Sequence, residues 1–169
     1  MIKKEYDNGK ILEESNLHST VYFHLRKLIE HSGQKKLFIY SEMPFSTQRK
    51  GEGKKNPRVD LAIVILDKDN ETPAPKDLLA VIELKFYDKH TYSFGIKKDL
   101  DHLEALQKGV YYPYKLTKKL ISRKAYFLYL VEEGKIDDPM LDRKTDRLKR
   151  NGYLKVFLGE GKNRKFYTR

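Results

Sequence analysis

An α/β fold with a mixed central sheet flanked by helices is what this sequence predicts, from three features. Apolar residues recur at helical spacing in two segments, Leu17, Val21, Leu25 and Leu28 (with Ile29 alongside), then Ile96, Leu100, Leu103 and Leu106. Two runs, 58–66 and 78–86, are apolar on both faces, as expected for central strands covered by helices, and 124–132 reads as a further strand. The linker between the first two runs is turn-rich and too short for a helical crossover, whereas a helix separates the second and third. The pairings are therefore expected to be antiparallel and then parallel.

In chain order, residues 1–12 read as a polar lead-in and residues 13–31 as the first helix, stopped at Gly33. Residues 36–45 form a first strand, and Pro44 places its end near an edge or a bulge. Residues 46–57 lack large apolar side chains and read as a loop carrying Arg49, Lys50, Lys54 and Lys55, with Arg58 just beyond it. After the hairpin of strands 58–66 and 78–86 comes a helix over 93–108, ended by Gly109 and by Tyr111-Tyr-Pro-Tyr. Residues 138–150 read as a short exposed helix, and 152–158 with 165–168 as a closing β-hairpin extension. Nothing in the pattern divides the 169 residues, so one domain is expected.

Charge narrows the partners. Lys and Arg number 35 against 24 Asp and Glu, a formal +11, which points to a polyanion such as nucleic acid rather than to a membrane. The chain has no cysteine, which excludes disulfides, thiol nucleophiles and Cys-ligated zinc. The opening residues lack the apolar core of a signal peptide, and the expected location is the cytoplasm. The five histidines form no HExxH arrangement, and His18 and His24 read as surface or packing residues of the first helix. Glycine loops for nucleotides and Gly-x-Ser-x-Gly elbows are missing too.

Chemistry concentrates in the third strand, Leu79-Ala-Val-Ile-Glu-Leu-Lys-Phe86. Glu83 and Lys85 are two residues apart and share a face. The preceding strand carries one acid at its start, Asp60. Matching the strand ends across the linker sets residue 60 opposite 84, and a shift of one sets it opposite Glu83 or Lys85 on their own face. Charged residues in strands so apolar are rarely left unpaired. Converging carboxylates call for a cation, and Mg²⁺ (or Mn²⁺) binds through one or two carboxylates plus water and phosphate oxygens. Asp60 and Glu83 would be its ligands with the carbonyl of Leu84, and Lys85 would orient the attacking water or stabilise the transition state. Glu14, on the edge of the first helix's inward face, and Glu42, the odd residue of the first strand, are further acidic candidates. The basic loop beside Asp60 would grip phosphates. Tyr87, Tyr92, Tyr111 and Tyr112 are candidates for stacking on bases.

These residues resemble the PD-(D/E)XK nuclease superfamily, of restriction-endonuclease-like fold. The resemblance lies in Asp60 within Arg58-Val-Asp-Leu-Ala-Ile-Val, followed by Glu83-Leu-Lys85, and in an α-β-β-β-α-β order covering about residues 13–132. Val59 stands where the name-giving motif has proline. The resemblance implies a metal-dependent nuclease, with Asp60 and Glu83 as metal ligands, Lys85 catalytic, and Glu14 matching the first-helix acid of some members. Gln107-Lys-Gly-Val-Tyr111 is similar to the Gln-x-x-x-Tyr motif of the exonuclease branch. DNA is favoured over RNA as substrate, and double-strand cleavage would call for a homodimer or sequential nicking. The rival expectations are a non-catalytic nucleic-acid-binding module that keeps the fold, and a protein-interaction domain with an acidic partner.

Overall fold

In the computed structural model, residues 2–8, 10–11, 13–47, 56–67, 74–87, 93–113, 115–131, 139–149, 152–160 and 165–168 are described. A six-stranded sheet runs through the centre in the order β1-β2-β3-β6-β7-β8. Its strands are β1 (Leu37–Pro44), β2 (Arg58–Asp67), β3 (Ala74–Tyr87), β6 (Lys124–Val131), β7 (Leu154–Glu160) and β8 (Lys165–Thr168). Strand β2 pairs antiparallel with both β1 and β3, β6 runs parallel to β3 and β7, and β8 turns back antiparallel on β7. The sheet is thus mixed, and Pro44 falls on its edge strand, where a missing N–H costs no ladder bond.

Two apolar cores lie on the two faces. Helices α1 (Ile2–Asp7) and α2 (Glu14–His31), with Ile11 between them in the chain, cover one, burying Tyr6, Leu17 and Val21 against Leu61, Ile82, Leu84 and Leu128. Helix α3 (Ser93–Lys108) covers the other with Ile96, Leu100, Leu103 and Leu106, and α4 (Pro139–Lys149) adds Leu148. The period of 3.6 in α3 and of two in the strands is what turns these side chains into continuous layers.

Several expectations are corrected. The polar lead-in contains α1, whose Tyr6 is enclosed and donates its hydroxyl to the Val131 carbonyl at 2.7 Å. One aromatic ring and one buried hydrogen bond tie down a segment too polar to show a periodic face. Strand β3 begins at Ala74, earlier than the apolar run, because bulges between Ile63 and Val64 and between Ile65 and Leu66 let the ladder continue to Asp67↔Ala74. The tyrosine-rich segment after α3 is β4 (Val110–Tyr112), paired with β5 (Lys115–Leu120) in a small second sheet. Helix α4 is not wholly exposed, since Thr145 and Leu148 are buried. The C-terminal hairpin of β7 and β8 forms as expected, and β7 joins it to the main sheet beside β6. Among the described residues no helix is long and apolar enough to cross a membrane.

Candidate metal centre

The site is created where β2 parts from β3. Their pairing stops at Leu61↔Ile82, whereas β2 continues beside β1 as far as Arg58↔Pro44. Beyond that fork the β2-facing edge of β3 has backbone groups without a strand partner, and a buried N–H without one is costly. Side chains supply what the ladder does not. Asp60 Oδ2 accepts from the Leu84 N–H at 2.7 Å, and Glu14 Oε2, from the first turn of α2, accepts from the Phe86 N–H at 3.4 Å. Asp60 and Glu14 thus have structural work to do before any catalysis is invoked. A residue's N–H and C=O point the same way in a strand, so the Leu84 carbonyl also faces the fork.

Continuing the β2–β3 register by one step sets Asp60 opposite Glu83, the one-residue shift the sequence left open. Val81 packs under α3 and Ile82 under α2, which puts Glu83 and Lys85 on the α3 side. Glu83 is 2% exposed. Burial first, and then repulsion from Asp60 and Asp99, push its carboxyl well above the usual range, with Lys85 offsetting only part. Burial pulls the Lys85 ammonium down, but Asp99, Glu14 and Asp60 together outweigh burial and leave it raised. Its Nζ lies 3.3 Å from Glu14 Oε1 and 3.4 Å from Asp99 Oδ2, so the lysine bridges α2 and α3.

Helix α3 contributes two residues that the strand motif did not announce. Asp99 is buried, and burial with repulsion from Asp60, against attraction from Lys85, raises its carboxyl to about 6. His102 stands one turn further on, its Nδ1 3.5 Å from Glu83 Oε1. Burial and then Lys98 lower its pKa, favouring neutral imidazole. The signal for both was in the sequence: Asp99 is three residues after Ile96 and four before Leu103, and His102 is four before Leu106, so both belong to the inward face. His18, expected as a surface or packing residue of the first helix, is half-buried beside β2. Its Nε2 lies 3.3 Å from the Asp60 carbonyl and 3.2 Å from Ser41 Oγ.

A cleft of about 500 Å³ opens over these groups, with Asp60, Glu83, Lys85, Asp99 and His102 inside and Glu42, Arg58 and Lys98 at exposed positions around it. Glu42 has φ +53, a left-handed conformation that is uncommon for a residue with a side chain. Gln107 and Tyr111 do not join this group. Helix α3 ends at Lys108 and Gly109 follows with φ +97, so Tyr111 lies on β4, its backbone paired with Ser46. Arg49, Lys50, Lys54 and Lys55 lie outside the described residues, as does Tyr92.

Comparison of the chain with protein-family models, curated proteins and solved structures finds no match. Three carboxylates and an imidazole around one ammonium leave an excess of negative charge, and Glu83 Oε1 and Asp99 Oδ2 are buried without a hydrogen-bond partner. That donor set fits a divalent cation, whose charge and ligand demand would settle both deficits.

Proposed function

We propose that this chain is a metal-dependent nuclease that hydrolyses phosphodiester bonds of DNA, on a restriction-endonuclease-like core formed by α2-β1-β2-β3-α3-β6. The observation that carries the reading is Glu83: a carboxylate enclosed in the sheet's fork, beside Asp60 and Asp99, with one oxygen lacking any hydrogen bond. Such a group is expensive to bury unless a cation completes it. Asp60, Glu83 and the Leu84 carbonyl would hold Mg²⁺ or Mn²⁺. When bound, the ion supplies a water made acidic enough to attack phosphorus, and a Lewis acid on the phosphoryl oxygen.

The chain's own residues do the rest. A raised pKa makes Lys85 a poor proton acceptor, which assigns it to charge stabilisation rather than to general-base work. With Glu14 accepting from Nζ and Asp99 standing 3.4 Å away as an ion-pair partner without a hydrogen bond, the ammonium keeps N–H capacity that can address a phosphate or the attacking water. Glu14 is engaged by Lys85 and the Phe86 N–H, which makes it a positioning residue rather than a metal ligand. Arg58 and Lys98, on exposed positions at the cleft, would meet the phosphate backbone.

The test is DNA cleavage with Mg²⁺ or Mn²⁺ against a chelator control. Asp60→Ala, Glu83→Ala and Lys85→Ala should each lower the rate by roughly a hundredfold or more. Undiminished cleavage in all three variants sinks the proposal. Salt-sensitive DNA binding without metal-dependent cleavage would instead favour a binding module built on the same fork.

A further inference from the structure

We propose that α3 completes a second cation subsite, made by Glu83 Oε1, Asp99 Oδ2 and His102 Nδ1, which takes a divalent first-row transition metal such as Mn²⁺ in preference to Mg²⁺. The inference rests on the cleft being a cation site and adds to it a donor set, a stoichiometry and a metal preference. Glu83 would serve both ions, one from each oxygen.

Three observations carry it. First, the three groups offer atoms that all lie within 4.8 Å of one another. Ligands about 2.1 Å from a common ion lie roughly 3 Å apart when adjacent and about 4.2 Å apart when opposite, so closing onto an ion requires each side chain to move by at most about an ångström. Second, each of the three groups has a buried atom without a hydrogen-bond partner, Glu83 Oε1, Asp99 Oδ2 (which has only its ion pair with Lys85) and His102 Nδ1, and Glu83 is itself 2% exposed. The 3.5 Å between His102 Nδ1 and Glu83 Oε1 is too long for a hydrogen bond to account for the arrangement. Third, the imidazole is held in place. Its ring packs edge-on against Phe45, with centroids 5.4 Å apart and an interplanar angle of 86°. Phe45 is 1% exposed, so this wall of the subsite is part of the core.

The donor chemistry sets the preference. Mg²⁺ demands oxygen ligands and keeps much of its water, whereas an imidazole beside two carboxylates suits the transition metals. Helical geometry supplies the pair, because residues 99 and 102 are three apart and project from one face of α3. Open cleft on the remaining side leaves room for water ligands or a phosphate oxygen. Lys85 does not block the subsite, since it keeps Glu14 at 3.3 Å when Asp99 turns to the ion.

The intact chain, stripped with chelator, provides the test. Bound Mn²⁺ loses its free six-line electron paramagnetic resonance signal, and pulsed measurement of the bound ion reads nitrogen ligands directly. The expected result is two Mn²⁺ per chain, one of them coupled to a single imidazole nitrogen. His102→Gln should leave one Mn²⁺ without nitrogen coupling and lower the preference for Mn²⁺ over Mg²⁺ by roughly tenfold or more. Asp60→Asn should retain the nitrogen-coupled ion. Absence of nitrogen coupling in the unaltered chain overturns the inference without recourse to any variant, and so does coupling that persists in His102→Gln. A chain that cleaves DNA with Mg²⁺ yet shows no nitrogen coupling defeats this inference alone. One that binds no divalent ion at all defeats the nuclease reading with it.

Discussion

Glu83 and Asp99 are acids that the fold makes reluctant to ionise, and this has a measurable cost. Both bind protons more tightly folded than unfolded. The stability tied to those protons is complete below the ordinary carboxylate range and is lost as pH rises through the folded values, about 6 for Asp99. Asparagine mimics the protonated form. In chelator, Asp99→Asn should therefore raise the urea-unfolding stability by about 2–3 kcal/mol at pH 8, at ~1.4 kcal/mol per pKa unit. At pH 4 it should change little. An equal effect at both pH values would show that packing, not charge, decides. Adding Mn²⁺ at pH 8 should narrow or reverse the difference, because the folded unaltered chain then binds one more ion than the variant does.

At the scale of elements, the β2–β3 fork and the end of α3 decide what the site contains. Side-chain period alone put Glu83 and Lys85 on one face, and a short linker made the hairpin antiparallel; both features stand. Where the ladder would stop could not be read, because side chains alternate past the last pair in both strands whether or not their backbones still meet. The end of α3 was legible in Gly109, which takes φ +97 and donates its N–H to the Ala105 carbonyl at 3.0 Å. A methyl group there would be strained and would sit 2.9 Å from Ile121 Cγ1. Gly109→Ala should destabilise the fold by about 1–3 kcal/mol in chemical denaturation. A neutral outcome would mean that the turn relaxes into another conformation. The same glycine explains why Gln107 and Tyr111 have motif-like spacing yet part company: four residues make a shared face only while the helix lasts.

The whole molecule is a basic protein around an acidic cleft. A formal +11 does not come from the centre, where carboxylates dominate, so the cations lie outside it and are available to a polyanion. Neutralising phosphates releases counterions, and affinity for DNA should therefore fall steeply with salt. For about four phosphate contacts the expected loss between about 50 and about 200 mM salt is on the order of a hundredfold, readable by fluorescence anisotropy. A flat salt dependence would count against nucleic acid as the partner. On the proposed function the charges would divide the labour: Arg58 and Lys98 at the rim would meet the phosphate backbone, while the floor would need a cation before a phosphate could approach.

What the sequence by itself determined is local and periodic: the principal helices and strands, the edge position of Pro44, the common face of Glu83 and Lys85, and the antiparallel-then-parallel order of β2, β3 and β6. Those follow from periods of 3.6 and two and from linker length, which need no knowledge of distant residues. Tertiary structure alone decided that Asp99 and His102 stand over Glu83, that Glu14 and Asp99 share Lys85, and that Tyr6 anchors an otherwise polar segment. Helical period had marked Asp99 and His102 as inward-facing, but not what they would meet. That depends on how far α3 rotates and slides as it packs on the sheet and on where β2 leaves β3, and both are set by contacts between residues far apart in the chain.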